Sequence, residues 1–340
     1  MFRYVRPTEL NRPQWDALIQ AAPNGMIYAL TWYLDSVAPG WEALVKEEAG
    51  RYIAVLPLPV RRKLGFKYLQ QPLLTQQLGL FYAPDAPPTA ADWQQIGALL
   101  RQHFRYITRY SFNTDNAEVL DLSRLGSAFA PFTGAVVVNY HLSLRPPYAE
   151  LRAGYSPNRR WRLNQARRRG WNLEPGTDIE QLIALFKEHT AGKLYGGVGE
   201  EAYHALRAVY AAASRAGLAA LWQARPPGGE VGAMILLLRF RQQLIYLFSA
   251  TDAAGKKAGA ISLLLDAVVQ AHAGQDLHLD FEAPTDKDVV HFYRSFGPAP
   301  APFGTIALNQ LPWPVRQLRA ARMALLRRLA ARPAPGNDAG

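Results

Sequence analysis

The chain has no cysteine. Disulfides, thiol nucleophiles and thiolate zinc sites are therefore excluded, and a reducing compartment fits this usage. Long apolar runs are missing as well. No stretch reaches the roughly 20 apolar residues that cross a bilayer. The start, Met1-Phe2-Arg3-Tyr4-Val5-Arg6-Pro7, has no apolar signal core. Histidine is sparse, seven in all, with no close pairing of metal-ligand type, so no metal is expected. His103, His141 and His189 stand alone and read as structural. His272 and His278 flank an Ala-Gly turn and read as a helix end and a strand.

Acid is absent from two stretches that are rich in arginine. The first holds Arg159, Arg160, Arg162, Arg167, Arg168 and Arg169; the second holds Arg316, Arg319, Arg322, Arg327, Arg328 and Arg332. Taking these twelve charges from the net +11 leaves −1, so the rest of the chain is near neutral. That distribution argues against a uniformly basic nucleic-acid coat. Ser156 suits an N-cap, Pro157 the first helical position and Gly170 a left-handed stop, which predicts a short helix between them. A helix charged on nearly every side is poorly suited to filling a core. Arginine presents a planar fork of donors to phosphate or carboxylate. Arg159, Arg160 and Arg162 are therefore candidates for an anionic substrate, and their loss is expected to weaken binding and leave the fold intact.

The length suggests about two domains, at roughly 150 residues each. With 49% hydrophobic and 19% charged residues, the chain can bury a core and is not globally disordered. The first half reads as helices over 11–22 and 31–37, strands over 41–47, 52–58 and 66–70, a helix over 92–104 and a strand over 106–112. The second reads as helices over 178–189 and 201–216, strands over 218–224, 231–240 and 244–249, a helix over 261–273 and a strand over 277–281. Setting Ala54 against Ala233 brings hairpin, helix and strand of each half into rough register. A doubled α/β unit follows, with mixed, mostly antiparallel sheets flanked by helices. The expected divisions are 1–147, a basic inter-domain helix in 148–176, 177–312, and a basic helix and tail in 313–340.

The stretch YLFSATDAAGKKAGAISLLLDAVVQAHAGQDLHLDFEAPTDKDVVHFYRSFG, Tyr246 to Gly297, is similar in order to the FemABX-type branch of the GNAT acyltransferase superfamily. YSPNRRWRLNQARRRGW, Tyr155 to Trp171, resembles that branch's basic helix between domains. The resemblance spans most of residues 10–310 and implies tandem GNAT-like domains. It implies transfer of an acyl or aminoacyl group to an amine in a bacterial cytoplasm, on an anionic acceptor such as a peptidoglycan or other cell-envelope precursor. A lipid-linked pyrophosphate would suit both arginine runs.

The same resemblance points to a donor loop at Gly255-Lys256-Lys257-Ala258-Gly259-Ala260-Ile261. In it Lys256, Lys257, Gly259 and Ala260 are candidates for donor phosphate, whose usual place is a helix N-terminus. Lys256 and Gly259 fit the first and fourth positions of the family's loop, and Ile261 departs at the sixth. The donor is left open between acyl-coenzyme A and aminoacyl-tRNA.

Acyl transfer needs a neutral amine, a polarised carbonyl and a stabilised leaving group. Asp280 and Glu282 alternate about Phe281 and are base candidates, or caps of the following loop. Tyr293 is a candidate acid for the leaving group, or a core aromatic. Lys193 and Tyr195, in a glycine-containing segment between two helices, suit a pocket lid or a linker. The run from Trp313 to Arg332 reads as a helix for an anionic membrane face or for docking on the second domain. The tail from Pro333 to Gly340 is expected to be disordered. Two readings compete with the enzyme: an inactive GNAT-fold binding protein and an RNA-binding module.

Overall fold

The computed structural model describes residues 1–63, 65–193, 198–283, 286–315 and 317, with the side chain of Lys193 left out. Tyr195, the Pro284–Thr285 turn, nearly all of the 313–332 helix and the tail from Pro333 lie outside the described residues, as does the Lys193 side chain.

The first half holds β1 (Phe2–Val5), α1 (Arg12–Ala21), α2 (Thr31–Val37), β2 (Glu42–Glu48), β3 (Arg51–Leu58), β4 (Val60–Lys63), β5 (Phe66–Leu69), β6 (Phe81–Tyr82), α3 (Ala90–His103), β7 (Tyr106–Ser111) and β8 (Thr133–Ser143). Two helices follow, α4 (Tyr148–Ala153) and α5 (Pro157–Arg167). Next come β9 (Asn172–Gly176), α6 (Ile179–His189), α7 (Glu200–Arg215), β10 (Ala219–Arg225), β11 (Ala233–Phe240) and β12 (Gln243–Thr251). The chain continues through α8 (Ala253–Ala258), α9 (Ala260–His272), β13 (His278–Asp280), α10 (Lys287–Arg294) and β14 (Ala299–Asn309). Side chains set the helix starts. Asn11 accepts the Gln14 N–H, Thr89 and Asp92 form a reciprocal capping box, and Ser156 accepts the Arg159 N–H.

Among the described residues the strands form a four-stranded sheet, β1-β2-β3-β6, and a ten-stranded one, β4-β5-β7-β14-β8-β13-β12-β11-β10-β9. Strand exchange makes the larger sheet continuous. β8, from the first half, pairs antiparallel with β13, and β14, from the end of the second, pairs with both β7 and β8. The long strands β8 and β14 were not among the elements expected from the sequence. Pro300 and Pro302 interrupt the strand signal, yet they sit where β14 pairs with β8 and not with β7. A residue without an N–H is tolerated at such a one-sided stretch.

β11 explains how two cores share one sheet. Its run Ala-Met-Ile-Leu-Leu-Leu is buried throughout. Met234, Leu236 and Leu238 join a core that holds Trp15, Tyr28 and Tyr33 of the first half with Leu182, Leu206 and Val209 of α6 and α7. Ala233, Ile235 and Leu237 face the opposite core, with Leu163, Leu264, Val268 and Phe281. A strand covered on both faces reads as a continuous apolar run, and each leucine so buried contributes about 1.5–3 kcal/mol relative to exposure.

The arginine helix α5 corrects the expectation that so charged a helix stays out of a core. It buries Arg159, Leu163 and Ala166 against the second half. Arg167 reaches the buried Asp266 of α9 at 2.6 Å, and the Tyr148 hydroxyl donates to the same carboxylate at 3.0 Å.

Candidate active site

β12 and β13 run parallel for only three residue pairs, from Gln243↔His278 to Ile245↔Asp280. β12 continues to Thr251, while the chain after Asp280 turns aside, so the two strands splay. Tyr293 lies at this opening. It stacks on Phe281 with centroids 5.1 Å apart and meets Tyr246 edge-on at 5.9 Å. The packing role read for Tyr293 is thus present, and the same side chain stands beside the carboxylates at the strand end.

Glu282 makes the turn. Its φ is +59°, a left-handed conformation that costs a side-chain-bearing residue about 1–3 kcal/mol unless the surroundings hold it. Here the Asp280 carboxylate holds it by accepting the Glu282 N–H at 2.7 Å. The Glu282 carboxylate does not stay on its own element. It accepts the Tyr28 hydroxyl at 2.5 Å. Tyr28 belongs to the single-turn helix Ile27–Ala29 of the first half and is fully buried. Tyr33 packs edge-on to it at 5.3 Å and donates its hydroxyl to the Leu74 carbonyl.

Burial raises the Glu282 carboxyl to about 8; the Tyr28 hydrogen bond opposes this and the negative Asp280 adds to it. Burial, with the charge of Glu282, lifts the Tyr28 hydroxyl well above its ordinary range. Burial, Tyr246 and Glu282 do the same to Tyr293. Tyr28 therefore stays a donor, and Glu282 exchanges its proton near neutral pH.

Asp280 differs from Glu282, although the sequence paired them. It is 1% exposed, and its oxygens are taken by Asn139 Nδ2 at 2.8 Å, the Glu282 N–H and His141 Nε2 at 3.3 Å. Burial pushes it up, but these hydrogen bonds and the charge of His141 hold it below the usual carboxylate range. Of the two carboxylates, Glu282 has fewer hydrogen-bond partners among the described residues, Tyr28 alone against three groups on Asp280. The reading of His141 as isolated is corrected: it contacts Asp280 and packs at 4.8 Å from His278.

The arginine candidates do not converge on this carboxylate. Arg159 is 7% exposed and donates to Ser295 Oγ at 2.8 Å and Ser262 Oγ at 2.5 Å. Its guanidinium lies over Phe292 and Phe296 at 4.4 and 4.6 Å, and burial beside Arg162 lowers it to about 10. Arg159 thus spans from α5 to α9 and α10, a buried contact where the sequence suggested an exposed side chain for an anionic substrate. Arg160 donates to the carbonyls of Ala153 at 2.5 Å and Tyr155 at 3.0 Å. Arg162 is exposed, donates to Asn158 Oδ1 at 3.2 Å, and lines a cleft of about 190 Å³ with Ser156, Asp288 and His291.

The expected donor loop is a helix. Asp252 caps α8 by accepting the Gly255 N–H at 2.5 Å, and Gly259, at φ +78°, ends α8 and starts α9. Gly255 is there for close packing: a Cβ would fall 2.4 Å from the Gly232 carbonyl oxygen. Lys256 and Lys257 are exposed, Ala260 is buried, and Arg169 of the α5 end donates to the Lys257 carbonyl. The end of the arginine run thereby touches α8.

Tyr28 and His141 were missed as site residues. A tyrosine within the apolar stretch Met26 to Leu30 carries a hydroxyl that needs a buried partner, which is the one local signal.

Comparison with known proteins fits this geometry. Residues 157–287 match the acetyltransferase (GNAT) domain family, beginning at α5 and ending as α10 begins. The solved structure of FemX is similar, with a TM-score of 0.63, 15% identity, and coverage of 91% of this chain and 98% of that one. A tandem GNAT protein from the clavulanic acid biosynthesis pathway aligns with a TM-score of 0.53 at 12% identity, covering 92% and 99%. L-PGS from Bacillus licheniformis aligns at 0.50 and 11%, covering 94% and 97%. A search of curated proteins finds no match.

The chain thus has a tandem GNAT fold, and residues 157–287 are similar to the GNAT acetyltransferase domain family. The resemblance to the FemABX-like branch holds at the level of that fold.

Proposed function

We propose that this protein is an N-acyltransferase that uses Glu282 as the general base. The observation that carries this reading is the Glu282 carboxyl, raised to about 8, at the splay of β12 and β13 and in contact with Tyr28 of the other half. A base is most effective when its pKa lies near the working pH. Glu282 takes a proton from the acceptor amine, and the amine nitrogen attacks the donor carbonyl carbon. The bond to the thiol or ribose oxygen then breaks, and that leaving group takes a proton from Tyr293 or water.

For the acceptor we propose an anionic cell-envelope precursor, met in the cytoplasm or at the inner membrane face. Arg162 and the basic cluster of Arg169, Lys256 and Lys257 support such a partner. Acyl-coenzyme A and aminoacyl-tRNA are the donor candidates. The division into 1–147, 148–176, 177–312 and 313–340 is part of the same reading.

A second reading, a GNAT-fold binding protein without chemistry, draws on α8, which occupies the donor-loop position as a capped helix. The deciding experiment supplies the full chain with acetyl-coenzyme A or charged tRNA and an amine-bearing envelope precursor, and follows acyl transfer by mass spectrometry. Transfer by the native chain that Glu282→Gln abolishes supports the enzyme. Donor or precursor binding without transfer supports the second reading.

A further inference from the structure

The strand that holds Glu282 in place comes from the other half of the chain. Asn139 and Asp280, both buried, and the partly exposed His141 form a cluster across the β8–β13 pairing, where His141 and Asp280 are direct register partners. The Tyr140 N–H donates to Asn139 Oδ1 at 2.7 Å, which fixes the orientation of that amide. Asn139 Nδ2 is then 2.8 Å from Asp280 Oδ1 and 2.9 Å from His141 Nε2. The Glu282 N–H binds the same Oδ1.

His141 Nε2 therefore has two uses. As the unprotonated nitrogen of a neutral ring it accepts from Asn139. As part of an imidazolium it donates to Asp280 Oδ2, 3.3 Å away. The ring also lines an open depression of about 620 Å³ with His278, Arg145 and Asp276.

Resting on the reading of Glu282 as base, we propose that Asn139 and His141 act through Asp280 as positioning residues. They hold the left-handed turn at Glu282 and set the charge beside its carboxyl.

The charged neighbours bear on both groups. Tyr28, Tyr33, Tyr293 and Asp280 face Glu282. Asp280, Asp115 and His278 face His141. Burial lowers His141, but Asp280 and Asp115 outweigh it, so the ring holds its proton above the ordinary histidine range. While it is charged, it balances Asp280 and eases ionisation of Glu282. Once it is neutral, the bare Asp280 opposes that ionisation.

The test follows the Glu282 carboxyl by ¹³C NMR in the full chain labelled at glutamate, with the signal assigned by its loss in Glu282→Gln. Asp280→Asn keeps Oδ1 as acceptor and removes the charge, so the Glu282 midpoint should fall toward the ordinary carboxylate range with its φ-dependent coupling unchanged. His141→Gln should raise the midpoint by roughly half a unit or more, since a cation beside Asp280 is gone. Asp280→Ala should change the Glu282 coupling and lower kcat more than it changes KM. His278→Gln is the control and should move the midpoint less than His141→Gln does. An unchanged midpoint in both Asp280→Asn and His141→Gln would overturn the proposal even if Asp280→Ala fails to fold. So would a native Glu282 coupling and native kcat in a folded Asp280→Ala. If the NMR shifts appear and no donor yields transfer, the positioning stands and the enzymatic reading fails.

Discussion

Tyr28 and Glu282 are 254 positions apart in the chain and 2.5 Å apart in space. The hydroxyl comes from the first half and the carboxylate from the second, so neither half alone assembles this contact. The pair also links rate to pH, because the hydroxyl binds the ionised carboxylate more strongly than the neutral acid.

The first prediction concerns that link. The native kcat/KM should rise with pH through a midpoint of about 8 as Glu282 ionises. Tyr28→Phe removes the donor that favours the carboxylate, so the midpoint should move higher and the rate at pH 7 should fall. Glu282→Gln should cost about 10²–10⁴-fold in rate. A pH–rate series on the three proteins checks this, and an identical midpoint in Tyr28→Phe would refute it.

Stability should carry the same signature. The Glu282 carboxyl sits near 8 when folded and near 4.5 when unfolded. The folded state therefore keeps the proton to higher pH. Its contribution is fully present below about pH 4.5 and is lost as pH rises through 8, with a slope approaching 1.4 kcal/mol per pH unit. Glu282→Gln removes this slope, so the variant should gain on the native chain as pH rises from 5 to 9. Urea unfolding across that range measures it, and parallel curves would count against a raised Glu282.

Arg159 and Arg162 should separate fold from binding. Arg159→Gln leaves Ser262 and Ser295 without their buried partner and should cost about 1–3 kcal/mol. Arg162→Gln alters an exposed side chain and should stay within about 0.5 kcal/mol, while weakening affinity for an anionic acceptor. Thermal melts and calorimetry with the precursor distinguish the two. Equal melting temperatures in the two variants would deny Arg159 its bracing role.

Gly255→Ala should displace α8. The new methyl would meet the Gly232 carbonyl oxygen and, at 2.6 Å, Thr251 Oγ1, so a loss of about 1–3 kcal/mol is expected. Amide exchange in α8 and the start of α9 should quicken. Unchanged exchange there would show that the packing of Gly255 is dispensable.

Much of the fold was legible because local physics is strong where it was read. The continuous apolar run of β11, the cap at Ser156 and the helical periodicity of α6 all lie within short windows. β8 was not legible, since Val136 and Val138 are exposed and its alternation carries no core signal. β14 was masked by Pro300 and Pro302. At the site, Asp280 and Glu282 stood out by their spacing about Phe281. Asn139 and His141 did not, because what gives them meaning is a carboxylate 141 and 139 positions later, brought over by strand exchange. Arg159 looked like a surface charge because its partners, Ser262, Ser295 and two phenylalanines, are scattered over distant helices.

The place of β14 in the larger sheet bears on how the chain is made. It is the only strand between β7 and β8 in the described sheet, and it is synthesised after every other strand named here. Until Ala299 to Asn309 leaves the ribosome, β4, β5 and β7 have no hydrogen-bonded route to the other six strands. The nascent protein therefore carries an open, uncharged strand, Thr133 to Tyr140, until Ala299 to Asn309 has been made. A pause or truncation near the end would release two sticky sheet fragments, so production of this protein should be limited by aggregation of unfinished chains.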